Sequence, residues 1–190
     1  IFSHVDTAIE YLSGVRFPVV IKADGLALGK GVIIAHSYDE AVKAVQEMMS
    51  DKVFGSAGDK VIIEEFLIGH EVTVLAFTDG KTIVPMVSAQ DHKRAYDNDE
   101  GLNTGGMGTF SPSRFYTDEI STLCMEEIFQ PTIEAMNKEG RTFKGILYFG
   151  LILTDEGPKV IEYNCRFGDP EAQVVLPRLK TDIIEVFNAI

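Results

Sequence analysis

The chain has 190 residues, enough to bury a sizeable core as one large domain or two small lobes. Hydrophobic residues at 45% and charged residues at 24% are ordinary for a globular protein. The net charge of -12, from 29 acidic against 17 basic residues, sets the surface against nucleic acid and anionic membranes, so any phosphate must be caught by local basic residues or backbone amides. No apolar run is long enough to cross a bilayer and no signal peptide opens the sequence. Cys124 and Cys165 lack metal or redox spacing and fit a reducing cytosol, so a cytoplasmic protein is expected. Ile1-Phe2 and the apolar stretch from Ile183 to Ile190 read as internal sequence, which leads us to expect an excised piece of a longer chain.

In chain order, Val5 to Leu12 has helical apolar spacing, with Ser3 or Asp6 as the expected cap. Pro18 to Ala23 is a β-branched apolar run, read as a buried strand. The glycine-punctuated loop Asp24 to Gly31 leads into a second strand, Val32 to Ala35. Ser37 and Glu40 form a capping-box pattern opening a helix whose apolar face holds Ala41, Val42, Val45, Met48 and Met49. Phe54 to Asp59 reads as a mobile connection. Lys60 to Leu67 and Glu71 to Phe77 read as strands, and Thr78 to Lys81 predicts a hairpin returning through Thr82 to Ser88. The stretch from Gln90 to Pro112 has no apolar periodicity, and a loop so long is expected to be functional. A helix from Thr117, kinked or broken at Pro131, should run to about Glu139. A hairpin around Asp155-Glu-Gly157 joins Gly145 to Leu153 with Pro158 to Tyr163. Pro170 to Lys180 predicts a helix interrupted by Pro177, and Thr181-Asp182 caps the last one. Hairpins outnumber strand-helix-strand units, so the expected class is α+β.

Chemistry concentrates in four places. Gly25 to Gly29 is one residue short of a phosphate-loop spacing, and Gly31 stands where a magnesium-binding Ser or Thr would be required. The glycines also precede a strand, which excludes the dinucleotide fingerprint. What remains is a flexible loop carrying Lys30, with Lys22 before it; a plain turn with solvated lysines reads equally well from these residues alone. Glu64-Glu65-Phe66-Leu67 and Glu71 offer acceptors for ribose hydroxyls or a purine amino group, or a solvent-facing strand end. Asp91-His-Lys93-Arg94 followed by Asn103-Thr-Gly105-Gly106-Met-Gly108 joins basic residues to a glycine nest. His92 is expected to be a hydrogen-bonded structural residue.

The fourth place is Lys159 to Glu171. Glu162 and Asn164, two apart on a strand, project to one face and offer a carboxylate and an amide oxygen, a pair suited to magnesium bridged to substrate phosphates. An exposed strand residue beside a turn cap is the duller account. Arg166 shares their parity if the strand persists, and the Asp169-Pro170-Glu171 start of a helix would seat an anion.

In this order the motifs resemble the ATP-grasp domain of phosphoribosylamine-glycine ligase, from about Phe17 to the end of the chain. The sequence departs from that pattern at His70, Asn98 and Leu102. The resemblance implies an ATP-grasp fold of two α+β lobes with antiparallel sheets gripping a nucleotide: residues 1–68 as a small lobe with the glycine-loop lid, 69–190 as a large lobe with the metal and substrate site. It also implies flanking amino- and carboxy-terminal domains absent here. The implied reaction joins glycine to 5-phosphoribosylamine through a glycyl phosphate, with ATP and Mg (or Mn). Glu162 and Asn164 would hold the metal. Lys22, Lys30, Glu64, Glu65, Phe66, Leu67, Glu71, Arg94 and Asn103 would bind the nucleotide. Asp91, Lys93, Gly105, Gly106, Gly168 and Glu171 would meet substrate, and Arg166 and Asp169 the reacting groups. The alternatives are a nucleotide-binding fragment without catalysis of its own, and an ATP-grasp ligase for another carboxylate.

Overall fold

The computed structural model describes residues 1–190 apart from Leu26, Leu28, Gly29, Lys30, Asn98, Asp99 and Gly105, and only the backbone of Arg94, Leu102 and Asn103. The chain forms two compact units, Ile1–Leu67 and Ile68–Ile190.

The first unit holds helix α1 (Val5–Leu12), strands β1 (Val19–Ala23) and β2 (Val32–Ala35), helix α2 (Tyr38–Met49), a 3-10 turn at Gly55–Asp59 and strand β3 (Val61–Glu65). The strands form an antiparallel sheet in the order β2-β1-β3. Register places Val19 beside Ala35 and Ile21 beside Ile63, so odd-numbered side chains share one face. That face meets Ala8, Leu12, Ala41, Val45 and Met48 in one core. The other face leaves Val32 and Ile34 of β2 exposed, while β1 is buried as expected at Val19 and Ile21 and half-buried at its other positions. The helix starts correct two further expectations. Helix α1 is capped by His4, without a side-chain bond, instead of Ser3 or Asp6. At α2, Ser37 Oγ accepts from the Glu40 amide at 3.3 Å, but the Glu40 carboxylate takes the His36 amide at 2.8 Å, one residue ahead of the usual capping box. The connection expected to be mobile between Phe54 and Asp59 is instead a 3-10 turn, with Lys52 Nζ 2.7 Å from Asp59.

The second unit is built on strands β4 (His70–Thr78) and β5 (Ile83–Pro85), joined by the hairpin that Asp79 closes by accepting the amides of Lys81 and Thr82. The stretch from Gln90 to Pro112 is not structureless. Strands β6 (Gln90–Asp91), β7 (Arg94–Tyr96), β8 (Glu100–Asn103) and β9 (Thr109–Phe110) form two short antiparallel ladders, β6 with β9 and β7 with β8. Strands of two to four residues are too short to print a period on the sequence. Helix α3 (Asp118–Cys124) passes through a π turn at Met125–Phe129 into α4 (Gln130–Lys138). Pro131 thus does not end the helix: a wider turn just before it makes room for the ring and the missing amide, and the regular α-helix is interrupted there and resumes at Gln130. Strands β10 (Gly145–Thr154) and β11 (Gly157–Asn164) complete a sheet ordered β11-β10-β4-β5. Helices α5 (Ala172–Val175) and α6 (Ile183–Ala189) follow, α6 capped by Asp182, whose carboxylate accepts the Ile184 amide at 2.8 Å.

One face of this sheet presents Val72, Val74, Leu147, Phe149 and Leu151 to Ile128, Phe129 and Ile133 of the helical layer. Phe129 and Phe149 lie 4.3 Å apart, centroid to centroid, and are fully buried. No helix among the described residues is long and apolar enough to cross a membrane. Phe149→Ala should lower unfolding free energy by about 3–5 kcal/mol, whereas Val84→Ala, at an exposed position, should change it by no more than about 0.5 kcal/mol; urea titration followed by circular dichroism measures both.

Candidate active site

The opposite face of the β4–β10–β11 ladder carries the polar chemistry. Cross-strand register sets Thr73, Gly150 and Glu162 in one row and Leu75, Tyr148 and Asn164 in the next. Between Gly150 and Leu151 the pairing slips, so that Gly150 faces Glu162 while Leu151 faces Val160. This β-bulge places Ile161 between the pairs Gly150–Glu162 and Leu151–Val160, and Ile161 and Glu162, neighbours in sequence, both line a small pocket with Glu71, Thr73, Asp91, Lys93 and Gly150. Beyond the bulge the alternation resumes. Tyr163 turns to the helical side, its hydroxyl 3.1 Å from Thr132, and Asn164 returns to the polar face. Gly150 is required here, since a Cβ at that position would lie 2.8 Å from Glu162 Cγ.

Glu162 and Asn164 stand together as their spacing predicts: Asn164 Nδ2 donates to Glu162 Oε1 at 3.4 Å. Among the described residues no three His, Cys, Asp or Glu side chains converge as a metal cage. An adjacent carboxylate and amide suit an oxygen-seeking ion that keeps most of its waters, such as magnesium, and would not hold zinc.

Lys93 enters the same pocket, its ammonium 3.1 Å from Glu71. Burial alone would lower the Lys93 pKa, but the charge and hydrogen bond of Glu71, aided by Glu162 and Asp91, raise it above the ordinary lysine value. The Asp91 pKa is also raised, which in a carboxyl disfavours the charged form: burial, then the nearby charge of Glu171, lift it above the usual range against the pull of Lys93. Asp91 Oδ1 is buried and has no hydrogen-bond partner among the described residues. Glu71 therefore sits with Lys93 in the second unit, whereas Glu64 to Leu67 end the first.

The segment after β11 departs from expectation. The strand ends at Asn164, so Arg166 does not continue its parity; its guanidinium donates to the Phe167 carbonyl at 2.8 Å. The helix expected from Asp169-Pro170-Glu171 begins only at Ala172 and is four residues long, too short for an aligned dipole to seat an anion. Asp169 accepts from Gln173 Nε2 at 2.6 Å, Gly168 is buried, and Glu171 is buried beneath the turn. His92 is tied to Gly108 through its amide at 2.8 Å, with its ring 5.6 Å from Phe110. His70 stacks on Phe115 at 3.6 Å. In the first unit Lys22 pairs with Glu64 at 2.7 Å across the face that carries Val32 and Ile34. Lys30 and Gly105 lie outside the described residues, as do the side chains of Arg94 and Asn103. Thr73, Tyr148 and Gly150 were not singled out from the sequence, although a lone threonine within the apolar run of β4 was a legible signal.

The chain is similar to several known proteins. The chain is 51% identical over all its 190 residues to a phosphoribosylamine–glycine ligase of Halalkalibacterium halodurans, covering 44% of that protein. It is 52% identical over 190 residues to the trifunctional purine biosynthetic protein adenosine-3 of Gallus gallus, covering 19% of it. The crystal structure of a phosphoribosylamine–glycine ligase from Thermotoga maritima superposes with a TM-score of 0.79 at 37% identity, over 92% of this chain and 44% of that one. A biotin carboxylase domain from Hydrogenobacter thermophilus, 16% identical with a TM-score of 0.72, shares the fold. The chain thus spans less than half the length of these curated relatives. Residues 1–172 match the family described as Phosphoribosylglycinamide synthetase, ATP-grasp (A) domain, and the chain belongs to that family, with its ATP-grasp fold.

Proposed function

We propose that this chain is the ATP-grasp part of a longer cytoplasmic ligase that joins glycine to 5-phosphoribosylamine in purine biosynthesis, with ADP and phosphate released. In that reaction a carboxylate oxygen of glycine attacks the γ-phosphorus of ATP and ADP departs. The amine nitrogen of phosphoribosylamine then attacks the acyl carbon and phosphate leaves. Neither step needs covalent help from the protein, so its work is positioning and charge neutralisation.

The observation that carries the reading is the Glu162–Asn164 pair, brought together at 3.4 Å on the polar sheet face beside Lys93 and Asp91. Glu162 and Asn164 would hold Mg or Mn, which when bound neutralises charge on the β- and γ-phosphates. In the second unit Lys93, kept cationic by Glu71, would hold an anionic oxygen of the substrates, and Asp91 would face an amine. Arg166 spends one donor on Phe167 and retains others for a phosphoryl oxygen, alongside Asp169, Gly168, Gly105 and Gly106. Arg94 and Asn103 would reach the phosphate end of the nucleotide. In the first unit Glu64, Glu65, Phe66 and Leu67 would seat adenosine, and Lys22, with Lys30, would take phosphate oxygens. Residues 1–68 then form the small lobe and 69–190 the large lobe of the ligase, whose remaining domains lie outside this chain.

Glu162→Ala or Asn164→Ala in the full-length protein should remove roughly 2 kcal/mol or more of transition-state stabilisation, about thirtyfold in rate. Steady-state ADP release with glycine and phosphoribosylamine reads this, and an unchanged rate, or ADP release indifferent to glycine, defeats the reading. Calorimetric titration with a non-hydrolysable ATP analogue should show magnesium-dependent binding that these variants lose. Asp91 supplies a second check. Its carboxyl is raised above 3.8, so the folded state favours its protonated form, and the resulting stability is present below that value and lost as pH rises through the raised one. Asp91→Asn should therefore raise the melting temperature at pH 7, with the gain shrinking as pH falls toward 3.8, while ligase activity drops. Scanning calorimetry across that range measures the first effect and the ADP assay the second.

A further inference from the structure

Glu171, Tyr148 and Thr73 are among the most enclosed polar side chains described, 3%, 4% and 5% exposed. They form a closed triangle. Glu171 Oε1 accepts from the Tyr148 hydroxyl at 2.9 Å and from the Thr73 hydroxyl at 3.4 Å, and the two hydroxyls lie 3.0 Å apart. Burial, together with the charge of Glu171, raises the Tyr148 pKa, so Tyr148 remains a protonated donor. Taking a carboxylate out of water is costly unless donors meet it, so Glu171 keeps its place only while both hydroxyls do.

The second carboxylate oxygen shows what is fixed. A Cβ added at Gly168 would overlap Glu171 Oε2 and lie 3.0 Å from the Tyr148 ring, so the backbone of the Phe167–Pro170 turn rests directly on the triangle. The Ala172 amide closes the turn onto the Gly168 carbonyl at 3.0 Å, and the amides of Val174 and Val175 bond the Glu171 carbonyl at 3.1 Å. On the far side of the turn, a Cβ at Gly106 would lie 2.8 Å from Pro170 Cδ and 3.2 Å from Asp91 Oδ1. Glu171 also acts on the charge of Asp91. Three segments distant in sequence, around Asp91, Gly106 and Gly168, thus meet over one peg whose donors come from the two central strands.

We propose that Tyr148 and Thr73 are positioning residues that hold Glu171 as a buried peg, and that the peg aligns the turn carrying Gly168 and Asp169 with Asp91 and Gly106. Glu171 acts through the turn and does not itself touch substrate. The inference rests on the ligase reading above for its kinetic consequence, but not for its structural one.

The test uses Tyr148→Phe, Thr73→Val, Glu171→Gln and Glu171→Ala in the full-length protein, with initial rates of ADP release at varied ATP, glycine and phosphoribosylamine and with hydrogen exchange on each variant. Tyr148→Phe and Thr73→Val should lower kcat/KM for glycine and for the amine by about tenfold to a hundredfold while the KM for ATP stays within about twofold. Glu171→Gln, which keeps an acceptor oxygen for both hydroxyls, should recover most of the activity that Glu171→Ala loses. The amides of Ala172, Val174 and Val175 should exchange faster in Tyr148→Phe while those of β4 and β10 remain protected. Equal losses for all three substrates, wild-type kinetics in Tyr148→Phe, or failure of Glu171→Gln to exceed Glu171→Ala would overturn the proposal. Absence of glycine-dependent ADP release in the wild type would sink the ligase reading alone; faster exchange confined to residues 172–175 then still supports the peg, and unchanged exchange overturns it.

Discussion

Strand β10 is pinned on both edges, by β4 along its whole length and by β11 up to and beyond a bulge, and the two sides of that ladder cannot be altered independently. Its odd positions, Leu147, Phe149 and Leu151, fill the core against the helices, while its even positions, Tyr148 and Gly150, form the floor of the polar site. Period-two alternation makes this division automatic once the strand exists. The apolar face supplies the energy that keeps the ladder in register, and the register is what brings Glu162 opposite Gly150 and Asn164 opposite Tyr148. A site built this way is held in place by the same ladder that the core keeps in register.

The electrostatics follow from the same placement. In a chain of net charge -12, an ammonium at Lys93 beside Glu71, within the influence of Glu162 and Asp91, is held charged despite its burial. Asp91, buried and repelled by Glu171, with no partner on Oδ1 among the described residues, is held with its carboxyl raised. Oppositely charged groups thus share one half-buried pocket, one strengthened in its charge and the other weakened. Holding Asp91 where its charge is disfavoured costs stability, a pattern that recurs at binding sites.

Much of the fold was legible because its long elements have strong periods. The limits of β2, the capping of α2 by Ser37, the hairpin at Asp79-Gly80 and the cap at Asp182 follow from residue types whose physics is local. The pairing of Glu162 with Asn164 was legible for the same reason, since two positions on one strand share a face whatever the strand packs against. Elements without a distinctive residue signature were missed: the ladders β6 with β9 and β7 with β8, whose strands are too short to show a period, the 3-10 turn at Gly55, and the π turn before Pro131.

The sequence by itself determined the α+β class, the family, the acidic surface and the Glu162–Asn164 pair, because each is a matter of composition, motif order or short-range geometry. Tertiary structure alone decided that Ile161 joins Glu162 in one pocket, that Arg166 leaves the strand, that Glu71 answers Lys93, and that Glu171 lies buried beneath Gly168 on Tyr148 and Thr73. Those facts rest on a bulge and on contacts between residues as far as 98 positions apart, and no local rule encodes which distant groups a folded chain will bring together.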